Sequence, residues 1–152
     1  MTKTFALALA LILTAATIAG CSAPAEGGNQ EPKPVAVDVS CDDFQKPGQQ
    51  HIIRTVEVAT NGTLTVSLCS NPSTGFSWEE AKISDQTVLQ QLDHQPADSA
   101  SATPAAVGAP SKEVWTFKAL KPGQATVSMQ YSRPWAGGEK GEWTLTLTVA
   151  VR

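Results

Sequence analysis

The sequence predicts an all-β domain, on three observations. Apolar and polar residues alternate in short runs, Pro and Gly fall between those runs and not inside them, and no segment sustains a 3.6-residue apolar period. Turns this frequent in roughly 115 residues favour a two-sheet antiparallel β-sandwich of about seven to eight strands, with a closed barrel as the alternative.

The elements follow in order. Residues 51–58 place Ile52, Arg54, Val56 and Val58 on one face and Ile53 and Thr55 on the other, an imperfect strand pattern. In residues 62–69, Leu64, Val66 and Leu68 alternate with Thr63, Thr65 and Ser67, as a strand with one buried face requires. Residues 76–83 continue as a strand, with Phe76, Trp78 and Glu80 alternating against Ser77 and Glu79, and a short, weak strand is expected over 87–92. Residues 96–111 (PADSASATPAAVGAPS) are small and polar with three prolines and can supply no core, so they form a long, mobile loop. Residues 112–120 direct Trp115, Phe117 and Ala119 to one side, and 123–131 do the same with Ala125, Val127, Met129 and Tyr131. A tight turn at Leu120-Lys-Pro-Gly123 joins those two. The cleanest strand is the last, where Trp143, Leu145, Leu147, Val149 and Val151 alternate with three threonines.

Residues 1–20 stand outside this domain. Lys3 gives a positive start, an apolar stretch runs from Phe5 to Thr17, and Ile18-Ala-Gly-Cys21 places small residues before a cysteine, as an export signal requires. Those four residues resemble the lipobox of bacterial lipoproteins. The resemblance implies cleavage before Cys21, lipidation of its thiol, and a domain held to the cell envelope in the periplasm or at the cell surface without a spanning helix. Residues 21–34 carry Pro, Gly, Glu and Gln and read as a lipid-anchored flexible tether. Residues 35–152 have the length of one domain and expect a monomer.

With Cys21 assigned to lipid, Cys41 and Cys69 remain as a pair in an oxidising compartment, and a disulfide between them is expected. It would stabilise the domain by roughly 3 kcal/mol on the chain-entropy model. A metal site would need further ligands, and His51 and His94 stand apart in the sequence; a catalytic Cys–His pair has no local signature. No cofactor is implied. The formal charge is −3, and losing Lys3 with the signal leaves ten basic against fourteen acidic residues, a net of −4. With the positive charges scattered and no basic–aromatic cluster, nucleic acid is excluded as a partner. Paired carboxylates, a Ser-His-Asp arrangement and metal spacing are absent from the sequence, so it reads as no enzyme.

The stretch Asn71-Pro-Ser-Thr-Gly-Phe-Ser-Trp78 begins where a strand ends. Pro72 fixes φ, Asn71 and Ser73 offer side-chain acceptors, and Gly75 allows positive φ, so 71–75 is a constrained turn. Turns between strands commonly use these residue types, and that alone assigns no function. Further along, Trp135 sits beside Ala136-Gly-Gly138 in a loop, where an exposed binding role explains a large apolar ring better than burial does. Phe76 and Trp78 suit the core, and Arg133 could stack on an aromatic ring of the domain.

Asn71-Pro72-Ser73-Thr74-Gly75-Phe76 resembles the NPTTGF/Y motif of the chagasin family of cysteine-protease inhibitors, and Arg133-Pro134-Trp135 matches that family's RPW/F motif, in the same order. The family's intervening GxGG motif corresponds to Gly108-Ala-Pro-Ser111, where only the first glycine survives and Pro110 stiffens the loop. The resemblance implies an immunoglobulin-like β-sandwich whose three loops (71–76, about 107–111, and 133–135) enter the active-site cleft of a papain-like cysteine protease. Inhibition would then be reversible, non-covalent occlusion, with Thr74 over the catalytic centre and the loops bearing Gly108 and Trp135 on either side. The other reading is a non-inhibitory immunoglobulin-like module that binds or assembles with another envelope protein, because a fold by itself does not set function.

Overall fold

The computed structural model describes residues 31–96 and 108–152. Residues 1–30, with the expected export signal, Cys21 and most of the expected tether, and residues 97–107 of the loop expected over 96–111, lie outside the described residues. Nine strands form two facing sheets: β1 (Val35–Val39), β2 (His51–Val58), β3 (Thr63–Ser70), β4 (Ser77–Trp78), β5 (Lys82–Ile83), β6 (Leu89–Gln95), β7 (Ser111–Ala119), β8 (Gly123–Ser132) and β9 (Trp143–Val151). One sheet runs β1-β3-β7-β6; the other runs β2-β9-β8-β4, with β5 also on β8. Every inward position of β3, β7, β8 and β9 read from the alternation is buried, from Leu64, Val66 and Leu68 to Leu145, Leu147 and Val149. Burying these faces against one another, at about 25 cal/mol per Å² of apolar surface, is the main term holding the sandwich closed.

Five expectations need correction. The sheets are mixed and not wholly antiparallel: β1 pairs parallel with β3, and β2 parallel with β9. The cause is topological. The chain crosses between sheets from β1 to β2 and back to β3, reversing each time, so β1 and β3 point the same way; β4 and β5 share one direction, which leaves an even number of reversals between β2 and β9 and makes that pair parallel too. The strand count is nine: β1, a five-residue Val-Ala-Val-Asp-Val run directly after the tether, adds one strand that no alternating pattern marks, and the division of 76–83 adds another. The continuous strand expected over 76–83 is two short ones, each paired with β8, and its alternation lapses at the exposed Glu80. The weak strand at 87–92 is seven residues long but starts later, at Leu89, and Ser111 belongs to β7 and not to the loop before it.

The turn at 120–123 is present, yet it joins β7 of one sheet to β8 of the other, so it is a corner between layers. β6 is an edge strand whose pairing with β7 shifts between Gln91 and Asp93, leaving Leu92 exposed. Past Leu89 every residue of β6 is exposed, and His94 covers the fully buried Trp115 from outside, stacked at 4.5 Å with Nε2 3.1 Å from Oε2 of the buried Glu113. A short edge strand interrupted by a bulge and carrying polar and charged side chains discourages further strand addition. His51 Nδ1 lies 2.9 Å from the Thr144 hydroxyl. Among the described residues no helix is long and apolar enough to cross a membrane.

Strand direction decides where the loops fall. β3 and β8 end, and β7 and β9 begin, at the same pole, because β3 runs antiparallel to β7 and β8 antiparallel to β9. The 71–76 turn, the residues preceding Ser111, the 133–142 loop and the 40–50 segment therefore share one end of the sandwich. Val35 pairs with Leu64, at the start of β3, so the chain enters at the opposite pole; Arg152 leaves there too, its N–H donating to the Val58 carbonyl.

Candidate functional site

Residues 71–75 form a tightly bonded wedge. Pro72–Thr74 make a single 3-10 turn, ended by Gly75 at φ +78°. The Asn71 carbonyl accepts from the Thr74 N–H at 3.1 Å and from the Thr74 hydroxyl at 2.7 Å, while Asn71 Oδ1 accepts from the Ser73 hydroxyl at 2.6 Å. Pro72, Ser73 and Thr74 remain exposed. Thr74 therefore spends its hydroxyl proton inside the turn, its oxygen accepts a long bond from the Phe76 N–H at 3.5 Å, and a methyl group with one remaining acceptor site is left for a partner.

The wedge is bonded to its neighbours as well as to itself. The Asn71 N–H donates to the Tyr131 hydroxyl at 2.8 Å, and the Trp78 indole N–H donates to the Cys69 carbonyl at 2.9 Å, both from below. Cys69 is bridged to Cys41 with Cα atoms 4.9 Å apart, as expected, which ties the base of the wedge to the 40–50 segment. In that segment the hydrogen bond from Lys46, with a second from the Ser40 hydroxyl, holds the Asp43 carboxyl below its ordinary range and closes the turn that carries Phe44.

Two contacts join the three motif loops into one surface. The Asn71 amide donates to the Gly108 carbonyl at 3.3 Å. On the other side the Trp135 ring lies over Gly75, so that a Cβ there would sit 2.7 Å from Trp135 Cη2. Gly75 is thus required twice, by its positive φ and by this close approach. Trp135 is 52% exposed, whereas Trp78 faces inward and Phe76 is half-buried against Tyr131.

Arg133 stacks on aromatic rings within the domain, its guanidinium 4.5 Å from the Phe76 ring centre and 5.9 Å from that of Trp135. It also pairs with Glu139 at 3.3 Å, and the 133–141 loop closes on itself: the Arg133 N–H donates to the Glu139 carbonyl, Lys140 Nζ to the Arg133 carbonyl, and the Gly141 N–H to the Ser132 hydroxyl. Pro134 is exposed beside Trp135. Sequence reasoning missed Tyr131, Glu139 and Lys140 as parts of this site. Tyr131 left one signal, as the only tyrosine of the chain at an inward strand position, where its hydroxyl needs a partner.

The surface holds no assembled nucleophile and base, and among the described residues no group of three His, Cys, Asp or Glu is placed to hold a metal. It is a rigid, bonded, three-loop edge with one exposed aromatic ring, an arrangement suited to filling a cleft. Residues 57–149 match the family described as chagasin family peptidase inhibitor I42. Amoebiasin-2 of Entamoeba histolytica is 34% identical over 101 residues, 64% of this chain and 77% of that one. A solved cysteine protease inhibitor from Entamoeba histolytica superposes with a TM-score of 0.54 at 28% identity, covering 70% of this chain and all of the other. PbICP-C, solved in complex with falcipain-2, shares the fold at a TM-score of 0.53 and 15% identity, covering 78% of this chain and 99% of that one.

Proposed function

This chain belongs to the chagasin family of peptidase inhibitors, and from that membership we propose how it acts as a reversible, non-covalent inhibitor of papain-like cysteine proteases. It performs no chemistry of its own. Asn71 to Phe76 enter the active-site cleft with Thr74 over the catalytic cysteine and histidine, Gly108 with its neighbours lies along one wall, and Arg133, Pro134 and Trp135 along the other. The observation that carries this reading is the joining of all three loops through the Asn71–Gly108 hydrogen bond and the Gly75–Trp135 contact. A wedge held this way resists cleavage, because it does not relax into the extended form of a substrate, and it loses little entropy on binding.

Ile18-Ala-Gly-Cys21 supports a lipid anchor on Cys21 in a bacterial envelope, with 21–34 as the tether and 35–152 as a monomeric inhibitor domain. The entry of the chain at the pole opposite the loops supports an anchored protein that presents its wedge away from the membrane. Replacing Cys21→Ser releases the protein from the membrane fraction on this reading; a variant that stays membrane-bound contradicts it.

The wedge is tested by inhibition of a small panel of papain-like proteases. Thr74→Arg abolishes inhibition by steric and charge conflict in the cleft, while losing the Thr74 hydroxyl bond to the Asn71 carbonyl costs only about 1 kcal/mol of stability, so the domain stays folded. Trp135→Ala weakens binding by about 2 kcal/mol, roughly thirtyfold in affinity. Inhibition by both variants equal to that of the wild type, or none by the wild type against any panel member, favours the assembly module instead.

A further inference from the structure

A cleft of about 380 Å³ opens beside the wedge and is used by neither of the two contacts that join the loops. Its walls are aromatic. Phe44 stacks on Trp143 with ring centres 4.3 Å apart and meets Tyr131 edge-on at 5.6 Å, and Phe76 stacks on the opposite side of the same site at 5.5 Å from Tyr131. The Cys41–Cys69 bridge lines it as well. Asn71, Thr74 and Pro110 form the lip shared with the wedge and the middle loop.

Among the described residues one charged side chain lines this cleft, and it is acidic. Glu142 is exposed and makes no ion pair among the described residues, while the nearest cations in sequence are spoken for: Lys140 donates to the Arg133 carbonyl, and Arg133 pairs with Glu139. An aromatic trough with an unpaired carboxylate at its edge is the chemistry that accepts a long side chain with an apolar stem and a positive head. We infer that this cleft receives a lysine or arginine side chain projecting from the rim of the bound protease, its stem against the Phe44, Tyr131 and Trp143 rings and its head at Glu142.

The inference rests on the inhibitor reading above, because the occupant is a residue of the protease that the wedge has engaged. Continuity of the surface is the argument for that occupant. Asn71, Thr74, Phe76 and Pro110 line the cleft and also belong to the loops proposed to enter the active site, so a protease seated on the wedge passes its rim over this opening. The site sorts among proteases by a rim charge, in the same place where the shortened glycine motif of the middle loop reduces close backbone approach.

The test uses papain and several of its homologues, each assayed with the wild type, Glu142→Gln, Glu142→Lys and Thr74→Arg. On every enzyme that the wild type inhibits, Glu142→Lys weakens inhibition by about tenfold or more, and added salt weakens the wild type more than Glu142→Gln. Replacing one basic rim residue of such a protease with Glu restores inhibition by Glu142→Lys. The cleft proposal is overturned, with the inhibitor reading intact, if Thr74→Arg abolishes inhibition while both Glu142 variants match the wild type, or if no single basic rim residue couples to position 142. Absence of inhibition by the wild type overturns the inhibitor reading itself and this proposal with it.

Discussion

Gly75 shows how much of the site depends on one residue. It ends the 3-10 turn at φ +78° and lies under the Trp135 ring, so a methyl group there meets both a backbone cost and a contact at 2.7 Å. The left-handed backbone alone costs a non-glycine residue roughly 1–2 kcal/mol. Gly75→Ala is therefore expected to lower stability in urea unfolding by at least that amount and to weaken inhibition by displacing Trp135. In a Trp135→Ala background the steric part disappears, so the two effects combine to less than their sum; additive effects would show that the rings and the turn are independent. At this scale much was legible. Pro72 and Gly75 announced a constrained turn, and Arg133 a stacking partner, from side-chain chemistry alone. The inward commitment of the Thr74 hydroxyl was not, because it depends on where the Asn71 carbonyl points, and neither was the Tyr131 hydroxyl under Asn71, which comes from 60 residues away.

Among the elements, β3, β7, β8 and β9 were readable because each buries one face fully and exposes the other, which writes a period of two into the sequence. β6 was read short because past Leu89 it is exposed and carries His94 and polar groups in place of an apolar repeat. The parallel pairings were illegible for a different reason: alternation says which face of a strand is buried but not which sheet the strand joins. The disulfide links elements that pairing does not. It fastens the 40–50 segment to the end of β3, directly below the wedge. Replacing Cys41 and Cys69 together with Ser is expected to cost about 3 kcal/mol in denaturant unfolding, and to weaken inhibition because the base of the turn is freed. Unchanged unfolding and unchanged inhibition would mean that the wedge is held by Tyr131 and Trp78 alone.

For the molecule as a whole, the alternation of strand direction gathers segments around residues 45, 73, 109 and 135 at one pole and sends the tether to the other. Three motifs dispersed over 65 residues of sequence become one edge for that reason, an edge that the family resemblance of those motifs implies. The central claim is that this edge, and no sheet face, contacts the protease. A structure of the complex with a papain-like protease whose nucleophilic cysteine is replaced by alanine tests it most directly. The account predicts Thr74 above the altered catalytic residue, with Gly108 and Trp135 against opposite walls of the cleft. A protease seated on the outer face of either sheet or along the edge of β2 or β6, with 71–76 left in solvent, would contradict it.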